Sequence, residues 1–367
     1  MICRCASARF YPLLREGIHG PVGKAIDIVS ILGTIFGVAV SLGLGSSQIA
    51  AGLSELFGWD ASTFLKIAIL AVLTMVAVGS IVAGLDSGVK LLSNINIGMA
   101  VLLMIFVLVT GSTLFLLRGI VETAGLYLQN LPRLAFWNDM LANRNPSNGD
   151  WGWQGDWTVF YWAWTATWSP FIGLFVARIS RGRTIREFVF GVLLAPTAFT
   201  LIWFSIFGWQ AIGFDGIGAA ARTAMGDQAG EISRAVAESI PLALFAFLEH
   251  FPFTLFVQGV AIIIVAIFFA TSSDSASLVV DMLCTGHAKP GPVRQRVFWG
   301  LAEGLVAAML ILLTGDTGLT ALQQVITVVG LPIFVMVCAM IPSLVRGFKL
   351  EDIDNVSVNG RPKLRDF

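Results

Sequence analysis

Long apolar runs separated by short polar segments set the pattern of this chain. Eight runs, at about 26–52, 62–85, 96–117, 157–177, 187–209, 253–283, 297–314 and 319–344, come close to or exceed the roughly 20 mostly apolar residues that a bilayer-crossing helix needs. None shows the even alternation of an outer-membrane β-strand, so the runs predict helices. The sixth is long, and a polar stretch, Thr271-Ser272-Ser273-Asp274-Ser275, interrupts it. Two further segments are amphipathic. Leu116–Phe136 has apolar residues at helical spacing broken by Arg118, Glu122, Gln129 and Arg133, which predicts a helix lying in the membrane interface. Glu231–Phe247 is similar and predicts a helix folded over an outside vestibule. For both, an ordinary surface helix packed on its neighbours is the alternative. Met1 to Lys24 lacks the apolar core of a signal peptide.

Composition turns this pattern into a class. The chain has 367 residues, 56% hydrophobic and 13% charged, with a mean hydropathy of +0.82. A soluble domain carries about 25% charged residues. A soluble enzyme, a nucleic-acid binder and a disordered scaffold are excluded. The fold class expected is an all-α polytopic membrane protein of about eight transmembrane helices. Charge adds direction: 23 Lys+Arg balance 23 Asp+Glu, so no polyanionic partner is implied. The basic residues alternate across the runs. Seventeen fall in the N-terminal segment, alternate loops and the tail, against five (Arg118, Arg133, Arg144, Arg222, Arg234) in the intervening loops. The excess of positive charge predicts cytoplasmic N- and C-termini. Cys3, Cys5, Cys284 and Cys338 are too scattered for a disulfide framework. His19, His250 and His287 lie in loops or at run ends.

Candidate chemistry begins with tryptophan. Six of eleven fall between Trp151 and Trp168. An interfacial belt accounts for Trp151, Trp153 and Trp157, but not for Trp164 and Trp168, deeper in the run. Trp157, Tyr161, Trp164 and Trp168 are spaced to share one helix face, flanked by Phe160. Such a face can hold a quaternary ammonium by cation–π attraction; a stripe packing one helix on another is the alternative. In the sixth run, hydroxyls and the Asp274 carboxylate this deep are costly unless they face protein, water or an ion. Bonding back to helix carbonyls and ligation of a small cation both stay open. Gly33 and Gly37 form a G-x-x-x-G, with Gly43 and Gly45 following, a pattern for close helix approach. Pro170, Pro196, Pro241, Pro252 and Pro332 are expected kinks or helix starts.

Three stretches carry a specific resemblance: Gly155-Asp-Trp-Thr-Val-Phe-Tyr-Trp-Ala-Trp164, then Trp168-Ser-Pro-Phe171, then Ala177-Arg-Ile-Ser-Arg-Gly-Arg-Thr-Ile-Arg-Glu-Phe188. With Ser41-Leu-Gly-Leu-Gly45, Leu248-Glu-His-Phe-Pro252 and Phe268-Phe-Ala-Thr-Ser-Ser-Asp-Ser-Ala-Ser277, they resemble the betaine/choline/carnitine transporter (BCCT) family, from about Tyr11 to Arg346. The resemblance implies a fold of two inverted five-helix repeats with substrate near the midplane. Matched to the family's twelve spans, this chain starts at the fifth. It then reads as a cytoplasmic segment 1–24, a transporter domain 25–346 and a short cytoplasmic tail 347–367. Within the domain come the last three helices of repeat one, an amphipathic linker at about 116–136 and repeat two from about 157.

By resemblance, Trp164 and Trp168 match the family's tryptophan box, Phe160 a gate residue, and Tyr161 and Thr165 lie beside them as further substrate-binding residues. Thr165 stands where the family usually has a second Trp. Threonine supplies no cation–π face but can hydrogen-bond a polar substrate group. The Phe268 carbonyl, Thr271 and Ser272 match a sodium site. Asp274 keeps a proton route open, so the coupling ion is sodium or a proton, with no other cofactor. The function implied is ion-coupled uptake of a quaternary-ammonium or related osmolyte across the cell (inner) membrane, by a multi-pass protein embedded in the bilayer and assembled as a homotrimer. The competing reading is a truncated fragment that does not transport, since the wall opposite Trp164 and Trp168 belongs to the first helix of repeat one. No H-E-x-x-H and no paired carboxylates within one run point to an enzyme.

Overall fold

In the computed structural model, residues 6–83, 90–138, 153–180, 182–216, 230–286, 291–314 and 318–354 are described. All regular structure among them is helical. The chain starts with short helical turns over Ala6–His19, then α1 (Pro21–Phe57), α2 (Thr63–Ala83), α3 (Lys90–Thr110) and α4 (Thr113–Ala135). Next come α5 (Phe160–Ile179), α6 (Ile185–Asp215), α7 (Glu231–Glu238), α8 (Ala243–Glu249), α9 (Thr254–Thr285), α10 (Val293–Thr314) and α11 (Gly318–Asp354). Seven of these, α1, α2, α3, α6, α9, α10 and α11, are long and apolar enough to cross a membrane. The expected span 157–177 forms α5, 20 residues long, but its tryptophans, hydroxyls and proline lower its hydropathy below that of the others.

α1 is the hub. It packs on α2, α5, α9, α10 and α11, and 67% of its apolar window is buried against 11% for α6. Glycine allows this crowding. A Cβ on Gly37 would lie 2.7 Å from Thr167 Oγ1 and 3.3 Å from the Trp168 ring; on Gly33 it would strike Ile333, and on Gly45 the Phe269 ring. The G-x-x-x-G pattern therefore serves close approach. Large apolar side chains on the far sides of α3, α6 and α11, such as Leu102, Phe204 and Val328, are exposed, as suits lipid contact.

Three expectations change. The run 96–117 is not one helix: the chain breaks at Gly111-Ser112, where Gln210 Oε1 of α6 accepts a hydrogen bond from Ser112 N (2.9 Å). The amphipathic α4 then starts at Thr113 and lies on α6, with Trp209 Nε1 donating to Thr123 Oγ1 (2.8 Å). Glu231–Phe247 is not one helix either. Pro241 falls in a 3-10 turn over Ile240–Leu242 that separates α7 from α8, because proline cannot supply the interior N–H. α8 seats Phe245, fully buried, against Gly52 of α1. Finally, the polar stretch does not interrupt α9, which runs unbroken for 32 residues. Thr271 Oγ1 bonds back to Ile267 O (2.7 Å), hiding its polarity within the helix, while Ser273 and Asp274 find partners on neighbouring helices. Left-handed residues bracket α9: Phe253 (φ 61°) before it and Gly286 (φ 65°) after it.

Candidate functional site

The aromatic face is built on α5 and its lead-in. Gln154–Val159 forms a π-helical turn that runs into α5, a distortion frequent at functional sites that the residue spacing did not reveal. Pro170 removes the N–H that Ala166 O would accept, and Ser169 Oγ donates to that carbonyl instead (2.7 Å). The rings stack in sequence. Trp157 and Tyr161 lie 6.0 Å apart at 10°, Tyr161 and Trp164 at 5.9 Å, and Phe160 and Trp164 at 5.4 Å and 22°.

The face meets α1. Trp164 Nε1 donates to Ser41 Oγ (3.1 Å), and Ser41 Oγ donates to Gly37 O (2.8 Å). Trp168 lies against Gly37 and edge-on to Phe171 at 5.5 Å. Its indole N–H is buried with no acceptor, a donor left over in a packed helix junction. Phe160 is buried and Tyr161 is about half exposed. Thr165 is exposed, off the face that meets α1. Trp151 lies outside the described residues.

The oxygen set of α9 lies nearby along α1. Phe269 packs on Gly45, eight residues and about 12 Å along α1 from Gly37 at 1.5 Å per residue. Thr271 Oγ1 is 3.2 Å from Phe268 O, so two of the three candidate sodium oxygens are side by side. Ser272 is half-buried next to them. Phe268 also lines an apolar groove of about 450 Å³ together with Ile97, Ala100, Phe199, Thr200, Trp203 and Phe204. The structure thus brings Phe160, Trp164 and Trp168 to α1 and leaves Thr165 outside, while Phe269, two residues before Thr271, is the α9 side chain that meets Gly45.

Sequence reasoning missed Glu303. It is completely buried on α10, and Ser273 Oγ of α9 donates to its Oε2 (3.1 Å). The available signal was a lone carboxylate inside an apolar run. Asp274, also buried, accepts from Ser80 Oγ of α2 (2.6 Å). At the Arg-rich turn, Thr184 caps α6 in a reciprocal pair with Glu187; Arg181 lies outside the described residues.

The family model described as "BCCT, betaine/carnitine/choline family transporter" matches residues 3–353. The chain is 45% identical over 342 residues to the ectoine/glycine betaine/proline transporter EctP of Corynebacterium glutamicum, covering 93% of this chain and 53% of that protein. It is 40% identical over 343 residues to glycine betaine transporter 1 of Vibrio parahaemolyticus, covering 93% and 62%. It is 40% identical over 342 residues to the glycine betaine transporter of Acinetobacter baylyi, covering 93% and 49%. The chain thus spans about half to three-fifths of the length of these relatives. With its family match running through nearly every helix described, the chain belongs to the betaine/carnitine/choline transporter family.

Proposed function

We propose that the chain forms part of a secondary active transporter that takes up a quaternary-ammonium or related osmolyte, glycine betaine being the first candidate. One observation carries the reading: a ladder of aromatic rings, ending in Trp164 and Trp168, is pressed against a glycine-lined stretch of α1 in a member of this family. Cation–π contact with such rings is worth about 0.5–2 kcal/mol, enough to orient a trimethylammonium group. Phe160, Tyr161, Trp164 and Trp168 are the substrate-side residues in this reading. The names of the relatives above, which include glycine betaine transporters, support the substrate class.

Sodium is the coupling ion in this reading, held by Phe268 O, Thr271 and Ser272. Hydroxyls and carbonyls are the oxygen ligands a hard cation takes. α1–α3 correspond to the last three helices of repeat one, α4 to the linker, and α5, α6, α9, α10 and α11 to repeat two. The protein sits in the cell (inner) membrane as a homotrimer with both termini cytoplasmic, an orientation supported by the basic-residue bias.

The test is binding of glycine betaine to the chain reconstituted in phospholipid vesicles, read by tryptophan fluorescence, together with sodium-gradient-driven uptake of labelled betaine. Saturable quenching that needs more sodium after Thr271→Ala and Ser272→Ala supports the assignment. Quenching and uptake equally effective in potassium buffer overturn the sodium site. Absence of any saturable response to betaine, choline, carnitine or ectoine overturns the substrate class.

A further inference from the structure

Glu303 has no place in the site above, yet it is fully enclosed where α2, α9 and α10 meet. Its surroundings can be counted atom by atom. Ser273 Oγ is 3.1 Å from Glu303 Oε2 and Ser277 Oγ is 3.0 Å from the same oxygen. Ser277 Oγ is also 2.9 Å from the carbonyl oxygen of Ser273. Glu303 Oε1 is buried with no partner. Thr74 Oγ1 of α2, buried and likewise without a partner, abuts Gly304, the next residue on α10.

Ser277 carries one hydroxyl hydrogen and faces two oxygens, so it can donate fully to only one of them. The conflict disappears when the hydrogen between Ser277 and Glu303 comes from the glutamic acid. Charge counting agrees. Asp274 and Asp281 on α9 and Arg294 and Arg296 on α10 are the charged side chains of the two helices nearest in sequence to this junction. Arg296 lies within electrostatic reach of Asp274, and Asp281 Oδ2 accepts from Gly291 N (2.6 Å). The charges of α1 (Lys24, Asp27, Glu55) and α2 (Lys66) fall towards their helix ends, and the basic residues of α11 follow Val345. Glu303 is left with hydroxyls and no cation. An ionised carboxylate buried in this way is far more costly than the neutral acid.

We propose that Glu303 is a proton-binding site: it holds a proton on Oε2, donates it to Ser277 Oγ, and so pins α10 to α9 beside the polar stretch. Ser277 then donates to Ser273 O and Ser273 Oγ to Glu303 Oε2, so the protons of these three side chains each have one acceptor. The site is separate from the sodium oxygens, which lie on Phe268, Thr271 and Ser272, and it does not depend on the substrate assignment. Loss of this proton would leave an unpaired negative charge between the helices, so the α9–α10 contact is weakened when the proton leaves.

The test is infrared difference spectroscopy of the chain in phospholipid vesicles, titrated from acidic to alkaline pH in the absence of substrate. The expected result is a protonated-carboxyl C=O band persisting at neutral pH, placed high in frequency because Oε1 accepts no hydrogen bond. Glu303→Gln removes the band with melting temperature kept near wild type at neutral pH, since the amide replaces a neutral acid. Ser277→Ala keeps the band and moves it. The proposal is overturned if no such band exists at neutral pH, or if it survives Glu303→Gln and disappears instead in Asp274→Asn or Asp281→Asn. Because the readout needs neither betaine nor transport, a failed uptake assay leaves this result standing, and the reverse holds too.

Discussion

Trp164 and Trp168 stand one helical turn apart, yet α1 holds them differently. Trp164 is tied by its N–H to Ser41, whereas Trp168 has a buried N–H with nothing to donate to. The two should therefore respond differently to the same change. Trp164→Phe keeps a ring and loses one neutral hydrogen bond, a cost of about 1 kcal/mol. Trp168→Phe trims the ring but breaks no hydrogen bond, so betaine affinity is expected to stay within about threefold of wild type, a change of under 1 kcal/mol. In the proposed site, alanine at either position would take away a cation–π face and is expected to weaken betaine binding about tenfold, matching about 1.4 kcal/mol. Isothermal titration with the four variants checks the pattern; equal losses from Trp164→Phe and Trp168→Phe would show that the Ser41 bond carries nothing. The rings were legible from spacing alone because a helix face repeats predictably. Glu303 was harder to interpret, since its meaning depends on Ser273 and Ser277 reaching it from another helix.

α1 and α9 show what a helix can and cannot announce in advance. The glycines of α1 read correctly as contact points, but which side chain meets each one is a tertiary fact. Gly45 faces the ring of Phe269, a group too stiff to fold aside. Gly45→Ala is expected to destabilise the bundle by about 1–3 kcal/mol through overpacking, and Phe269→Leu in the same chain should recover most of it. Thermal melting in detergent measures both; a lack of rescue would place the strain elsewhere on α1. The end of α3 was placed too late because Gln210, far away in sequence, captures Ser112 beyond it. The break before α8 was foreshadowed only by Pro241. α9 was read as interrupted because polarity was counted and back-bonding was not.

At the scale of the whole molecule, each end of the bundle is fastened by its own contacts. Where α1 starts, Ser7 N and Oγ donate to Asp27 (2.8 and 3.0 Å), and Arg9 Nη2 donates to Pro170 O (3.2 Å). Where α1 finishes, α8 closes over it and Glu249 meets Glu55. Burial, then the hydrogen bond and charge of Glu55 and the charge of Glu231, hold the Glu249 carboxyl above its ordinary range, against a smaller opposing pull from His250. A carboxyl raised by folding favours the folded contact while protonated. That stability is fully present below the unfolded value of 4.5 and is lost as pH climbs through the raised one. Wild type is expected to lose melting temperature over that interval, and Glu249→Gln to lose less. Parallel pH profiles for the two proteins would remove Glu249 as the cause.

The continuity of α9 has a mechanical side. A helix of 32 residues is a rod about 48 Å long at 1.5 Å per residue. Had the polar stretch unwound, the two halves could bend independently and motion at one end would be absorbed halfway. Unbroken, and turned sharply at Phe253 and Gly286, the rod works as a lever. A tilt of about 10° about one corner carries the other end through about 8 Å, and Thr271 and Ser272, just past its middle, through about half of that. A displacement at Thr271 and Ser272 is thus carried to the far end about doubled, where a hinged helix would absorb it.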